Sequence, residues 1–368
     1  MSDFLIIGGG VIGMMTAREL AQSGAEVTLV DMNACAQESS WAGGGIVSPL
    51  YPWRYSEPVT RLATWSQTSY IHLSQQLLEE TGCDPELRLK GMFMVNVEDE
   101  QEALNWGEKY QRPMEQVDAE FLYRKEPNLK PGCTSAVWMP EVGSIRNPRL
   151  GQALRRSLEL SPNVRLVENR QVESFILSGQ QVKGVVTSQG ELHADQVVVA
   201  AGAWSGQLLR QLSVEMPVEP VKGQMMLFKA PVGLINRVVL MGGRYLIPRN
   251  DGRILVGSTL ERKGFDKQTT AEARESLYQT AIDICPALEQ YDVEHHWAGL
   301  RPGSPEGVPF IGAVPGYDNL TVNAGQYRNG LVLAPASTRL LADLLLDRKP
   351  VIDPTPYQLA GRINLNIS

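Results

Sequence analysis

Phe4-Leu-Ile-Ile-Gly-Gly-Gly-Val-Ile-Gly13 is the stretch on which the fold turns. Residues 4–7 are a short apolar run of the kind that forms a buried parallel strand, and residues 8–13 fit the pattern Gly-x-Gly-x-x-Gly. A helical stretch over residues 14–23 follows, and Gly24 ends it. In that setting Gly8 permits a tight turn, Gly10 lets a pyrophosphate approach the backbone, and Gly13 lets helix and strand pack closely. Val11 and Ile12 complete the cradle, and the helix N-terminus faces the anion. A second strand over residues 26–30 ends at Asp31, with Met32 beside it; the Asp31 carboxylate suits an adenosine ribose. The unit predicts a dinucleotide site. An acid at position 31 argues against NADP, whose 2′-phosphate calls for a basic residue, and leaves NAD and FAD open.

The chain has 368 residues, enough for about two domains, with 43% hydrophobic and 20% charged residues, a folded globular composition. A net charge of −7 without a Lys/Arg block gives no surface for nucleic acid. Cys35, Cys83, Cys133 and Cys285 form no CxxC pair, which fits neither a zinc site nor a disulfide framework and suggests a reducing cytoplasm. Asp3 and the glycines break the N-terminal apolar run, which is also shorter than the ~20 residues of a membrane span. A soluble protein with no membrane partner is expected. His295 and His296, being adjacent, would face opposite sides of a strand, while His72 and His193 stand alone, so no metal is expected.

Three later segments repeat the theme of glycine beside apolar runs. Gly43, Gly44 and Gly45 strip a loop of side chains, and Trp41, Ile46 and Val47 around them suggest burial. Residues 196–205 read as a buried strand running into a turn at Gly202 and then a helix. Residues 319–324 read as another strand, and Gly325-Gln-Tyr-Arg-Asn-Gly330 leads into an amphipathic helix reaching about residue 347.

On these segments, with Ser39-Ser40, Tyr245-Leu-Ile-Pro-Arg249 and Trp297-Ala-Gly-Leu-Arg-Pro302, the chain resembles the D-amino-acid-oxidase-like flavoprotein family along nearly its whole length. Within that family it is similar to the glycine oxidases of thiamine biosynthesis. The resemblance implies an α/β Rossmann-like FAD-binding domain, discontinuous in sequence (residues 1–82, 142–210 and 295–368). A second, mainly antiparallel-sheet substrate domain takes residues 83–141 and 211–294. The cofactor implied is non-covalent FAD on Gly8, Gly10, Val11, Ile12, Gly13, Asp31, Met32, Ser39, Ser40, Gly43 to Gly45, Val172 and Gly202, and on the turn Gln326, Tyr327, Arg328, Asn329, Gly330, Leu331 and Val332. A helix starting near Gly330 would aim its positive end at the electron-rich edge of the flavin, which favours the reduced form.

The second domain shows β-type alternation over residues 87–97, 221–229, 237–241, 244–248 and 253–257, with a helix over 271–285 crossing one face. By the resemblance, Arg301 at the end of a strand over 291–300 grips a substrate carboxylate, Tyr245 donates to the same group, and Arg328 adds a second positive charge. The alternatives for the residues alone are a surface arginine and a buried sheet tyrosine. Met225 and Met226 read as core, and Gly243 and Leu260 as pocket wall. The implied reaction passes hydride from Cα of glycine, sarcosine or D-alanine to flavin N5. Dioxygen is reduced to hydrogen peroxide, and the imine hydrolyses to glyoxylate or another oxo acid and ammonia. No side chain is expected as catalytic base. The family also includes sarcosine oxidases, D-amino-acid dehydrogenases and tRNA-trimming flavin domains, and a non-enzymatic flavin-binding protein is the alternative from another class. Family members are often tetramers, so a homo-oligomer is expected.

Overall fold

The protein is described by a computed structural model covering residues 2–365. Two eight-stranded sheets organise it. In the first, strand Ser2–Ile7 lies at the centre, parallel to Val27–Val30 on one side and to Gly190–Val199 on the other. Val164–Val167 and Leu320–Ala324 extend it in parallel, and Phe310–Ala313 closes one edge antiparallel. Side chains alternate across the central strand. Phe4 and Ile6 face the helices Val11–Gln22, Glu57–Thr81, Asn147–Leu160 and Gly330–Leu345, whereas Leu5 and Ile7 pack with Val197, Leu209 and Phe310 on the other side. Ligands of such sheets sit outside the carboxyl ends of the strands, and Gly8 stands at that end of the central strand.

The second sheet runs in the order Val293–Gly303, Glu219–Phe228, Ile254–Gly257, Arg244–Pro248, Val238–Met241, Met92–Val95, Ser135–Met139 and Glu115–Asp118. All its pairings are antiparallel except Val238–Met241 with Met92–Val95. Helix Ala271–Ile284 covers one face through Leu277, Ala281 and Ile284, packed with Phe228 and Val256. The other face presents Met225, Tyr245, Ile247 and Leu255 toward Ile46 of the glycine loop.

Several expectations change. Residues 295–303, assigned with the first domain, belong to the second sheet, because the Arg301 strand pairs along its length with Glu219–Phe228. Residues 212–218 move the other way, since Leu212, Val214, Met216 and Val218 pack under the first sheet. Only Met92–Val95 of residues 87–97 is regular strand; Gly91 at φ +88 breaks the run. The C-terminal helix is buried nearly all round rather than amphipathic, with even Asp343 enclosed and accepting from Arg339 Nε at 2.8 Å. Trp41 is 38% exposed, with its ring edge-on to Trp297, although Ile46 and Val47 are buried as expected.

Candidate functional site

Gly8 adopts φ +112, and a Cβ there would lie 2.4 Å from Ala200 O; one on Gly13 would lie 1.8 Å from Gly8 O. Strand, turn and helix are therefore in backbone contact, and only glycine fits at either position. The first helical bond runs from Met14 N to Gly10 O (2.9 Å), and Ser40 Oγ accepts from Val11 N at 2.8 Å. Asp31 terminates the second strand. Its Oδ2 accepts from Gly9 N (2.6 Å) and its Oδ1 from Asn33 N (2.8 Å), leaving further lone pairs on the cavity side. Burial raises its pKa, against the pull of those two N–H groups.

Behind Asp31 an ion pair braces the same corner. Arg155 donates to both oxygens of Glu168 (2.9 and 2.7 Å), and Glu168 accepts from Cys35 N at 2.7 Å. The Arg155 guanidinium holds the Glu168 carboxyl down at about 2, below its ordinary 4.5. A depressed folded-state pKa contributes stability above the unfolded value that is lost as pH falls through the folded one. The melting temperature of the wild type is thus expected to fall more steeply than that of Glu168→Gln between pH 4.5 and 2. Parallel curves over that window would remove the pair from the stability account.

A cavity of about 500 Å³ runs from Asp31 and Met32 past the Gly8–Gly13 turn to Tyr245 and Arg301, between the two sheets. Arg249, buried, donates to Gly44 O (2.9 Å) and Ile145 O (3.0 Å), and so fixes the glycine loop along its wall; burial lowers its pKa to about 10. A Cβ on Gly44 would come within 3.2 Å of the Tyr245 hydroxyl. The buried Asn147 Oδ1, on a lining residue, has no hydrogen-bond partner among the described residues. An acceptor buried in this way fits a ligand that brings a polar donor edge. The C-terminal helix begins at Gly330, and Gly330, Leu331 and Val332 line the cavity, so the positive end of that helix opens on it. Ser39, Ser40, Gly43, Gly45, Val172, Gly202, Gln326, Tyr327 and Asn329 line it too. Gly13 supports the cradle from behind.

Tyr245 and Arg301 meet at the far end. Tyr245 is buried, and its hydroxyl donates to Met225 Sδ at 3.6 Å. Burial lowers the Arg301 pKa, opposed by the neighbouring Tyr245; a guanidinium stays protonated regardless. Arg328 is exposed at the rim, close enough to influence Arg301 electrostatically. Met225 is 2% exposed in an apolar cluster, as read from sequence, and also forms part of the wall. Gly243 and Leu260 are outside the lining, and Leu260 is 52% exposed.

Gly223, Ser258 and Asn147 also line the site and carry no motif that would have singled them out. A Cβ on Gly223 would stand 2.1–2.4 Å from the Arg301 guanidinium. That end of the side chain is flexible, so Gly223→Ala is expected to displace Arg301 without unfolding the sheet. KM for a carboxylate substrate should rise at least about tenfold, as for loss of one charge-assisted bond, with melting temperature within a few degrees of wild type. An unchanged KM would show that the guanidinium does not need this floor.

The family model for FAD dependent oxidoreductases matches residues 3–344. A glycine oxidase of Pseudomonas aeruginosa is 54% identical over 359 residues, 98% of this chain and 99% of that protein. The crystal structure of glycine oxidase from Geobacillus kaustophilus superposes with a TM-score of 0.91 at 30% identity, covering 97% of this chain and 98% of that one. A bifunctional protein ThiO/ThiG of Synechocystis is 34% identical over 95% of this chain and 52% of its own length. The chain thus belongs to the FAD dependent oxidoreductase family.

Proposed function

We propose that the chain catalyses the FAD-dependent oxidation of glycine, and of the similarly small sarcosine and D-alanine, with dioxygen as final acceptor. The carrying observation is that Arg301 and Tyr245 line one end of the same cavity that runs past the Gly8–Gly13 turn to Asp31. The Gly8 turn, Ser39 and Ser40, the 43–45 loop and the 326–332 turn would hold the cofactor. When bound, FAD supplies a two-electron acceptor that takes hydride from Cα and passes the electrons to dioxygen, forming hydrogen peroxide.

The chain's own residues bind and orient. Arg301 presents two parallel N–H groups to the carboxylate, and the Tyr245 hydroxyl turns from Met225 Sδ, a weak acceptor, to a carboxylate oxygen. With the acid end fixed, Cα has one orientation in the cavity, and orientation contributes much of the acceleration. A neutral amine releases its lone pair as hydride leaves, so no side-chain base is required. The imine then takes up water to give glyoxylate and ammonia. The N-terminus of helix Gly330–Leu345 supplies fixed positive potential over the cavity.

A peroxide-coupled assay over glycine, sarcosine and D-alanine tests the proposal, and a run with an artificial electron acceptor separates oxidase from dehydrogenase. Absence of peroxide with all three amines would overturn it. Following its ThiO-named relatives, we assign the physiological role to thiazole synthesis for thiamine, in a cytoplasmic homotetramer whose mass sedimentation would check. Tyr245→Phe removes one neutral donor while leaving the guanidinium, so its KM should rise about three- to tenfold; no rise would remove the phenol from the carboxylate site.

A further inference from the structure

The anchoring arginine has neutral partners. Arg301 Nη2 donates to Ser258 Oγ at 2.6 Å, and Nη1 donates to the Thr259 carbonyl at 3.3 Å. A guanidinium carries five N–H groups, and an end-on carboxylate uses one from each terminal nitrogen. Ser258 and Thr259 can each take one and still leave that pair free. Because both tethers are uncharged, the full positive charge is kept for the ligand, where an acidic partner would compete with it. Gly223 completes the mount, since the absence of a side chain there lets the guanidinium lie against the strand.

The two tethers differ in what holds them. The Thr259 carbonyl belongs to a braced segment. Thr259 Oγ1 accepts from Gln224 N (2.9 Å) and donates to Glu261 Oε1 (2.5 Å), which also accepts from Gln224 Nε2 (2.9 Å). Glu261 and Lys222 exchange backbone hydrogen bonds at 2.9 Å each way. Lys222 is 1% exposed, and its Nζ reaches Asp266 at 3.0 Å. Residues 259–261 are therefore locked to the strand that carries Gly223. Ser258 follows Gly257, which is in register with both Met225 and Tyr245, and it lines the same cavity as those two side chains.

We propose that Ser258 is a positioning residue, whose hydroxyl sets the rotation of the Arg301 guanidinium so that its free N–H pair faces the carboxylate. The inference rests on the reading of Arg301 as the carboxylate anchor. Without the Ser258 bond the fork still has its charge and its Thr259 tether but rotates about its last bonds, and binding of the acid group weakens while the chemistry at Cα proceeds as before.

The test uses the flavin-loaded enzyme with Ser258→Ala, Ser258→Thr and Arg301→Ala. Two quantities are read: the dissociation constant of acetate, a ligand that is only a carboxylate, from the change in flavin absorbance, and the split between KM and kcat for glycine. Ser258→Ala is expected to raise the acetate constant and KM together by about tenfold, the loss typical of a hydrogen bond to a charged group. Its kcat should change less than twofold and its flavin content not at all. Ser258→Thr, which keeps the hydroxyl, should restore both constants. An acetate constant unchanged in Ser258→Ala, while Arg301→Ala weakens acetate strongly, would overturn the role of Ser258 and leave the anchor standing. An acetate constant unchanged in Arg301→Ala would overturn the anchor itself. A fall in kcat with unchanged acetate binding would also overturn the proposal. Acetate binding requires no turnover, so these outcomes are read whichever amine is the substrate.

Discussion

Arg301→Ala is expected to raise KM for glycine at least about a hundredfold while the purified enzyme stays yellow. The substitution removes two charge-assisted hydrogen bonds of roughly 1.5–3 kcal/mol each, and each 1.4 kcal/mol is a factor of ten. Arg301 sits on an eleven-residue strand that makes ten register pairs with its neighbour in the second sheet, away from the glycine cradle, so folding and flavin retention should survive. Its neighbours Ser258 and Thr259 lose a donor, but neither is a charge left unpaired. Arg301→Lys should recover only part of the loss, because an ammonium supplies a point charge without the planar fork. Steady-state kinetics over a wide glycine range, with the flavin spectrum recorded on the same samples, measures both quantities. A KM within threefold of wild type would remove Arg301 from the carboxylate site and with it the proposed orientation of substrate.

What could be read in the sequence was what lies close together along the chain. The strand, glycine turn, helix, second strand and Asp31 occupy residues 2–31 without interruption, and each local preference agrees with the fold around it. The resemblance brought Arg301 and Tyr245 forward together, whereas their residue types alone left surface and core alternatives open. The parts that stayed hidden depend on pairing between distant segments. Gly223, Met225, Tyr245 and Ser258 become neighbours only through the register of three antiparallel strands, and no spacing along the chain records that register. Helix Glu57–Thr81, the longest in the described residues, buries Leu62, Tyr70 and Leu77 but intersperses Ser, Thr and Gln, which dilutes its apolar stripe. The helix after Gly330 misled in the opposite sense. It reads as amphipathic, yet even its polar Thr338 and Asp343 are enclosed, with Thr338 Oγ1 bonded back to Ala334 O at 2.9 Å. Trp41 is exposed because it caps Trp297 at the surface; the glycines beside it, not the indole, face inward.

Gly13→Ala should yield a protein that purifies without flavin, although alanine is the better helix former by about 1 kcal/mol. Position 13 is inside helix Val11–Gln22, so propensity alone predicts a gain. Contact decides otherwise. The added Cβ would lie 1.8 Å from Gly8 O and 3.0 Å from Gly8 C, and these are backbone atoms with no rotamer to change. Gly8 cannot retreat, because it is itself pressed against Ala200 and Ala201 of the neighbouring strand end. The helix must therefore move away from the central strand at its first turn, where its N–H groups would meet the pyrophosphate. Overpacking of this kind costs about 1–3 kcal/mol in stability, but the larger loss is the anion site, which depends on the position of that turn. Gly24→Ala is the control: its Cβ meets nothing within 4 Å, and only φ +93 opposes it. That substitution should cost about 1 kcal/mol and leave flavin bound. The ratio of flavin to protein absorbance after gel filtration reads both variants, with melting temperature measured alongside. Stoichiometric flavin in Gly13→Ala would mean that the helix tolerates displacement, and that the close contact between Gly8 and Gly13 is not what builds the cofactor site.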